Sequence, residues 1–332
     1  MPWRLIEAVA LDPHVKRLLG MVAAAAPGAP RPETIEERRQ GFAKLMALSG
    51  IGMPVAQVED RTAPGPGGPI PVRLYTPFGV EGEQLPGLVF FHGGGLVAGG
   101  VDTHDSLARA LANETRARLI SVDYRLAPEH PFPAAVIDCR AAFAWAIEHA
   151  AGIGIDPDRV AIAGDSAGAT LAALVCQQLA TGGARQPLFQ LLLCPITDFA
   201  ADTPSRRQFG KGYLIDSGMI ASDLSHYLPR GITAAEPAIS PLRASDLRGV
   251  CPAYIHTAEA DPLRDEGEAY AMRLRGAGVV AHYTCHSGMI HLFYGMAGIV
   301  PYARTALTQI GGQVRAAFAG TASPAEHNRL HG

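Results

Sequence analysis

The chain has 332 residues, 48% hydrophobic and 18% charged, with Lys+Arg 28 against Asp+Glu 31 and a formal net charge of −3. So much apolar material with so little net charge excludes a disordered chain, and the length exceeds that of a small disulfide scaffold. No basic excess exists to neutralise a phosphate backbone, so nucleic acid is not an expected partner.

In chain order, Asp12-Pro13 opens an alanine-rich helix that Pro27-Gly28 closes. Thr34-Ile35-Glu36-Glu37 is a capping-box pattern for a second helix ending near Ser49-Gly50. The period then changes. Residues 55–63 and 70–76 read as strands around Pro64-Gly65-Pro66-Gly67-Gly68-Pro69, an antiparallel hairpin. From Leu88 onward strands (88–91, 119–122, 160–163, 188–194) alternate with helices (103–116, 134–150, 167–180). Continuous apolar strands between amphipathic helices predict a mostly parallel α/β sheet covered on both faces. Residues 197–250 are polar and punctuated by Pro and Gly, an excursion from the sheet. A strand at 253–256, a helix at 266–276, a strand at 279–285 and a helix at 299–318 complete the core.

Gly164-Asp165-Ser166-Ala167-Gly168 fits G-x-S-x-G and lies between a predicted strand and a predicted helix, the context this turn requires. Gly164 and Gly168 flank a position where side chains would clash, and the turn projects the Ser166 hydroxyl off the strand end. The helix then offers free amides, that of Ala167 included, to an oxyanion. His92-Gly93-Gly94-Gly95 follows the 88–91 strand, and three successive glycines let backbone amides approach a ligand. Gly93 and Gly94 would donate alongside Ala167. Gly93-x-Gly95-x-x-Ala98, with Asp123 ending the next strand, also fits a dinucleotide fingerprint. Helix-cap signals at Asp102-Thr103 set that helix late for a pyrophosphate site, and Ser166 would go unexplained.

An activated serine needs a base and an orienting acid. After Ser166, the acids Glu259, Asp261, Asp265 and Glu266 follow a strand, and Asp261 sits in the turn just beyond it. Asp265 and Glu266 suit the positive end of the next helix. His282 falls inside a strand. His286, at a strand end, and His291, in a following loop, are the two candidates for the base.

The five cysteines are odd in number, widely spaced and without a CxxC pair, which argues against a disulfide or metal framework and for a reducing cytoplasm. Residues 16–26 superficially resemble a signal peptide, but Glu7, Asp12 and His14 precede a short apolar stretch. No apolar run is long enough to span a membrane. No HExxH, Walker loop or Cys/His cluster calls for a metal or cofactor.

Taken together, the chain resembles the hormone-sensitive lipase family of α/β-hydrolase esterases, the bacterial group IV carboxylesterases. The segments that carry the likeness occur in family order. They are His92-Gly93-Gly94-Gly95, the stretch Asp123-Tyr124-Arg125-Leu126-Ala127-Pro128-Glu129-His130-Pro131, Gly164–Gly168, Ser240-Pro241-Leu242, Asp261-Pro262-Leu263-Arg264-Asp265-Glu266 and Gly288-Met289-Ile290-His291. The resemblance implies an α/β-hydrolase core (51–196 and 231–332) with helical cap segments at 1–50 and 197–230. It implies Ser166 as nucleophile, Asp261 as orienting acid, His291 rather than His286 as base, and Gly93, Gly94 and Ala167 as oxyanion donors. His92, Gly95, Gly164, Asp165 and Gly168 would support them, and the Tyr124–Glu129 segment would brace the oxyanion loop. The implied activity is hydrolysis of short- to medium-chain carboxylic esters through an acyl-enzyme, without cofactor, on small-molecule substrates. Family members are often homodimers. The alternatives are a deacetylase or amidase on the same triad, or a ligand-binding member of the fold without turnover. The chain departs from the family pattern at Leu96, where an aromatic is common, and at Leu292, where glycine is usual.

Overall fold

The structure is a computed structural model that describes residues 9–25, 34–80 and 84–320. The apolar runs form one eight-stranded sheet in the order β1-β2-β4-β3-β5-β6-β7-β8. The strands are β1 (Gln57–Ala63), β2 (Ile70–Thr76), β3 (Leu85–Phe91), β4 (Arg118–Val122), β5 (Ile155–Asp165), β6 (Gln190–Leu193), β7 (Ala253–Ala260) and β8 (Ala281–Ile290). The β1–β2 hairpin is antiparallel and β2 runs antiparallel to β4, while every later neighbour pair is parallel.

Successive side chains on a strand point to opposite faces. All four residues of β6 and six of seven in β3 are buried, so both faces of the central sheet are covered. Edge strand β1 is polar and mostly exposed, and its Glu59, Asp60 and Arg61 guard an open edge against further pairing.

The helices are α1 (Pro13–Ala25), α2 (Ile35–Met46), α3 (Asp105–Thr115), α4 (Ala134–Glu148), α5 (Ala167–Thr181), α6 (Pro204–Phe209), α7 (Ser217–Tyr227), α8 (Arg264–Gly276) and α9 (Tyr302–Phe318). The capping box at Thr34 forms as its sequence predicts. The hydroxyl accepts the Glu37 amide, and the Glu37 carboxylate accepts the Thr34 amide. The close of α1 at Pro27-Gly28 lies outside the described residues.

Residues 197–250 hold two short helices, α6 and α7, each with an N-cap side chain (Thr203, Asp216) accepting a first-turn amide. One expectation is corrected. Strand β8 runs on to Ile290, so His286 stands inside a strand and not at its end. Loops leaving the C-terminal ends of β3, β5, β7 and β8 converge, the usual location of a site in an open parallel sheet.

Candidate active site

Ser166 occupies the turn between β5 and α5 with φ 52° and ψ −121°, a strained conformation for a residue with a side chain. The flanking glycines permit it. A Cβ on Gly164 would lie 2.4 Å from the Gly168 carbonyl, and one on Gly168 would lie 2.0 Å from the Phe91 oxygen. The Ser166 amide donates to the Leu193 carbonyl at 2.8 Å, which holds the turn to β6.

Asp261 is the first residue after β7, and His291 the first after β8. Ser166 Oγ lies 3.0 Å from His291 Nε2, and His291 Nδ1 lies 2.8 Å from Asp261 Oδ2. The other Asp261 oxygen accepts the Leu263 amide at 2.8 Å, so the carboxylate is held at both ends. All three side chains are buried. Glu259 accepts the Gly288 amide at 2.7 Å and so fixes the backbone just ahead of His291.

The structure brings His291 to Ser166 and sends His286 elsewhere. His286 is buried against His256, ring nitrogens 3.2 Å apart, and against the Tyr302 hydroxyl at 3.1 Å. Asp265 and Glu266 sit in the first turn of α8, yet they do more than face a helix end. The Asp265 carboxylate accepts the Ser205 amide, and fully buried Glu266 accepts the Thr197 amide and pairs with Arg206. Both tie the excursion after β6 to the core. Burial pushes the Glu266 carboxyl up to about 7 against the opposing pull of Arg206.

The glycine loop requires a correction. The Gly93 amide donates to Asp165 Oδ1 at 2.9 Å, so it is committed and does not face a ligand. Gly94 and Gly95 line the cavity over Ser166 instead, and their amides meet no acceptor among the described residues. Ala167, first residue of α5, has no intrahelical acceptor for its amide. Gly94, with φ 119°, could not carry a side chain: its Cβ would lie 2.2 Å from the Ala98 oxygen.

The loop is braced from beneath. The Tyr124 hydroxyl donates to the His92 carbonyl at 2.6 Å, and the two rings stack at 4.3 Å. The Ala127 amide donates to the Leu96 carbonyl, and Arg39 of α2 donates to the carbonyls of Val97 and Ala127. Burial, with His104 nearby, pushes His92 down to about 3, so its ring is neutral. Helix α3 begins at Asp105, ten positions beyond Gly95, so no helix N-terminus follows the glycines as a dinucleotide site needs.

Cys194 Sγ lies with a carboxylate oxygen of Asp261 and a ring nitrogen of His291, all within 4.8 Å. That is the metal-like grouping among the described residues, but its acid and imidazole are already hydrogen-bonded to each other.

Over Ser166 lies an apolar cavity of about 200 Å³. Its walls come from α2 (Arg38, Phe42, Leu45), from the 197–230 stretch (Phe199, Ile215, Met219, Ile220, Asp223), and from Leu292. Arg38 and Asp223 face each other there in a buried bidentate ion pair, 3.0 and 2.7 Å. Sequence reasoning missed this pair, because Glu36-Glu37-Arg38-Arg39 reads as a solvated helix face. Leu292 holds φ 62°, a left-handed conformation that explains a preference for glycine there, and its side chain lines the cavity. Leu96 is buried in the core and is not part of that wall.

Residues 88–295 match a family described as alpha/beta hydrolase fold. The carboxylic ester hydrolase LipN of Mycobacterium tuberculosis is 48% identical over 243 residues, 71% of this chain and 64% of LipN. The carboxylesterase NlhH of the same organism is 38% identical over 301 residues, 89% of this chain and 92% of NlhH. The solved structure of ester-hydrolase EH1AB1, from the metagenome of Lake Arreo, superposes with a TM-score of 0.90 at 37% identity, covering 93% of this chain and all of that one. The chain belongs to the α/β-hydrolase family. Within it, this is a carboxylic ester hydrolase of the hormone-sensitive lipase type. No helix among the described residues is long and apolar enough to cross a membrane.

Proposed function

We propose that Ser166 is the nucleophile of this esterase, with His291 as base, Asp261 as orienting acid, and Gly94, Gly95 and Ala167 as oxyanion donors. The observation that carries this is the unbroken chain from Ser166 Oγ through His291 to Asp261, at 3.0 and 2.8 Å. His291 Nε2 takes the hydroxyl proton as Oγ attacks the ester carbonyl carbon. Asp261 stabilises the imidazolium and fixes its tautomer. The amides stabilise the tetrahedral oxyanion, each worth about 3 kcal/mol in comparable sites. As the C–O bond breaks, the alkoxide leaves with the proton from His291, and an acyl-enzyme remains. Water, deprotonated by His291, repeats the attack and releases the acid.

The apolar cavity, closed by Phe42, Ile215 and Ile220, suits short- to medium-chain acyl or alkyl groups. Residues 1–50 and 197–230 are the cap in this proposal, and 51–196 with 231–332 the catalytic core. A cytoplasmic location accords with five free cysteines. Homodimer formation rests on the family likeness alone, and sedimentation velocity tests it. Relatives named as ester hydrolases weigh against the deacetylase or amidase alternative. The filled triad weighs against a binding protein without turnover. Hydrolysis of p-nitrophenyl butyrate by Ser166→Ala is the test: loss by about 10⁴-fold or more is expected, and wild-type turnover would overturn the assignment.

A further inference from the structure

Apart from Ser166 and His291, the polar side chains in the wall of the chamber among the described residues are Arg38 of α2 and Asp223 of α7. The Asp223 carboxylate is seated on the glycine loop: a Cβ on Gly95 would lie 2.0 Å from its Oδ2. The pair therefore stands beside the loop amides that face Ser166. Arg38 gives Asp223 its Nε and Nη2, at 3.0 and 2.7 Å. Its guanidinium carbon lies 5.5 Å from the ring centroid of Phe42, which covers one face. The third nitrogen, Nη1, carries two N–H donors. It meets no acceptor among the described residues, yet it is not sealed from solvent.

A guanidinium cannot shed its proton, so Nη1 stays a donor at every working pH. The fork to Asp223 and the Phe42 ring fix the plane of the group, which fixes where those two donors point. Solvent serves such a donor until a substrate fills the chamber. An arm of pure hydrocarbon then leaves it unpaired among apolar walls, and an arm with an acceptor oxygen pairs it again. The difference is large where the donor is charged. Asp223 already cancels the charge of Arg38. A carboxylate on the arm would lose its water beside a neutral pair that holds an acid of its own sign.

We propose that Arg38 is a specificity-determining residue whose Nη1 donates to a neutral oxygen on the substrate arm in the chamber, and that Asp223 aims it. The substrate class is then an oxo-substituted carboxylic ester, with a ketone set a few carbons from the scissile carbonyl, in preference to a plain alkyl ester or an ester of a dicarboxylic acid. The proposal rests on Ser166 being the nucleophile at the floor of that chamber. An apolar pocket with one fixed donor discriminates mainly against substrates that leave the donor unpaired.

The test uses the full-length chain and matched substrates. One set is p-nitrophenyl esters of oxo-acids with the ketone at the γ, δ or ε carbon, each against the unsubstituted ester of equal length. The other is acetates of keto-alcohols against acetates of the parent alcohols. The oxo-to-parent ratio of kcat/KM is compared between the wild type and Arg38→Met/Asp223→Leu, which removes the donor and its counter-charge together. For at least one ketone position the wild-type ratio is about tenfold or more above that of the double variant. Ratios are taken within one enzyme, so yield and stability cancel, and the effect of the ketone on ester reactivity is common to both. Asp223→Asn unmasks the cation and raises the ratio of the p-nitrophenyl monoester of glutaric acid to the ketone ester about tenfold. Equal oxo-to-parent ratios in wild type and double variant at every position overturn the proposal, as does a wild-type preference for the carboxylate arm. If Ser166→Ala is inactive while those ratios are equal, the role of Arg38 fails alone. If Ser166→Ala keeps wild-type turnover, the nucleophile assignment fails and this proposal with it.

Discussion

The Gly93 amide donates to the Asp165 carboxylate at 2.9 Å, and this bond joins the glycine loop after β3 to the turn that carries Ser166. The second Asp165 oxygen stands 3.5 Å from His104 Nε2 without a hydrogen bond to it, so the bond to Gly93 is what ties the carboxylate to the loop. Asp165→Ala would leave the buried amide unpaired, a cost of about 1–3 kcal/mol. The expected result in steady-state kinetics is a fall in kcat of about 10- to 100-fold with KM within about threefold. Asp165→Asn keeps an acceptor and should lose less. A loss confined to KM would argue against the loop being positioned this way.

Arg38 and Asp223 form a buried ion pair across the two stretches that wall the chamber. Breaking such a pair from one side leaves a buried charge, at a cost of about 3–5 kcal/mol. Arg38→Met should therefore lower the unfolding midpoint and raise KM. The double variant Arg38→Met/Asp223→Leu should recover most of the stability. A double-mutant cycle in chemical denaturation measures the coupling, and additive losses would speak against it.

His256 and His286 predict a pH dependence of stability. Burial holds the two rings down to about 3 and about 4, against about 6.5 in an unfolded chain. Between those values the unfolded chain binds more protons, so stability is full above about pH 6.5 and falls as pH drops toward 4, by up to about 1.4 kcal/mol per pH unit per histidine. Glu266, raised to about 7, acts in the opposite sense: its contribution is present below about pH 4.5 and lost as pH rises through 7. Replacing one histidine isolates its share. Urea midpoints of His286→Phe and wild type should converge as the pH falls from 7 to 4, and parallel curves would contradict the assignment.

Much of the core was legible because its signals are local. Apolar runs marked the inner strands, Thr34 and Glu37 marked a helix start, and Gly164 and Gly168 marked the Ser166 turn. Strand ends were less legible, since Ile155 and Ile290 extend β5 and β8 through tertiary pairing and not through their own composition. The choice between Gly93 and Gly95 was invisible in sequence, because only the fold brings Asp165 within reach of the first amide. The same holds for Arg38 and Asp223, 185 positions apart, which no local pattern links.

The most direct measurement is covalent labelling. The protein is treated with an alkyl fluorophosphonate, digested, and the modified peptide located by mass spectrometry. A single adduct on Ser166 is expected, absent in Ser166→Ala and formed more slowly by about 10³-fold or more in His291→Ala. Labelling at any other residue, or an undiminished rate in His291→Ala, would contradict the assignment of Ser166 and His291 as nucleophile and base.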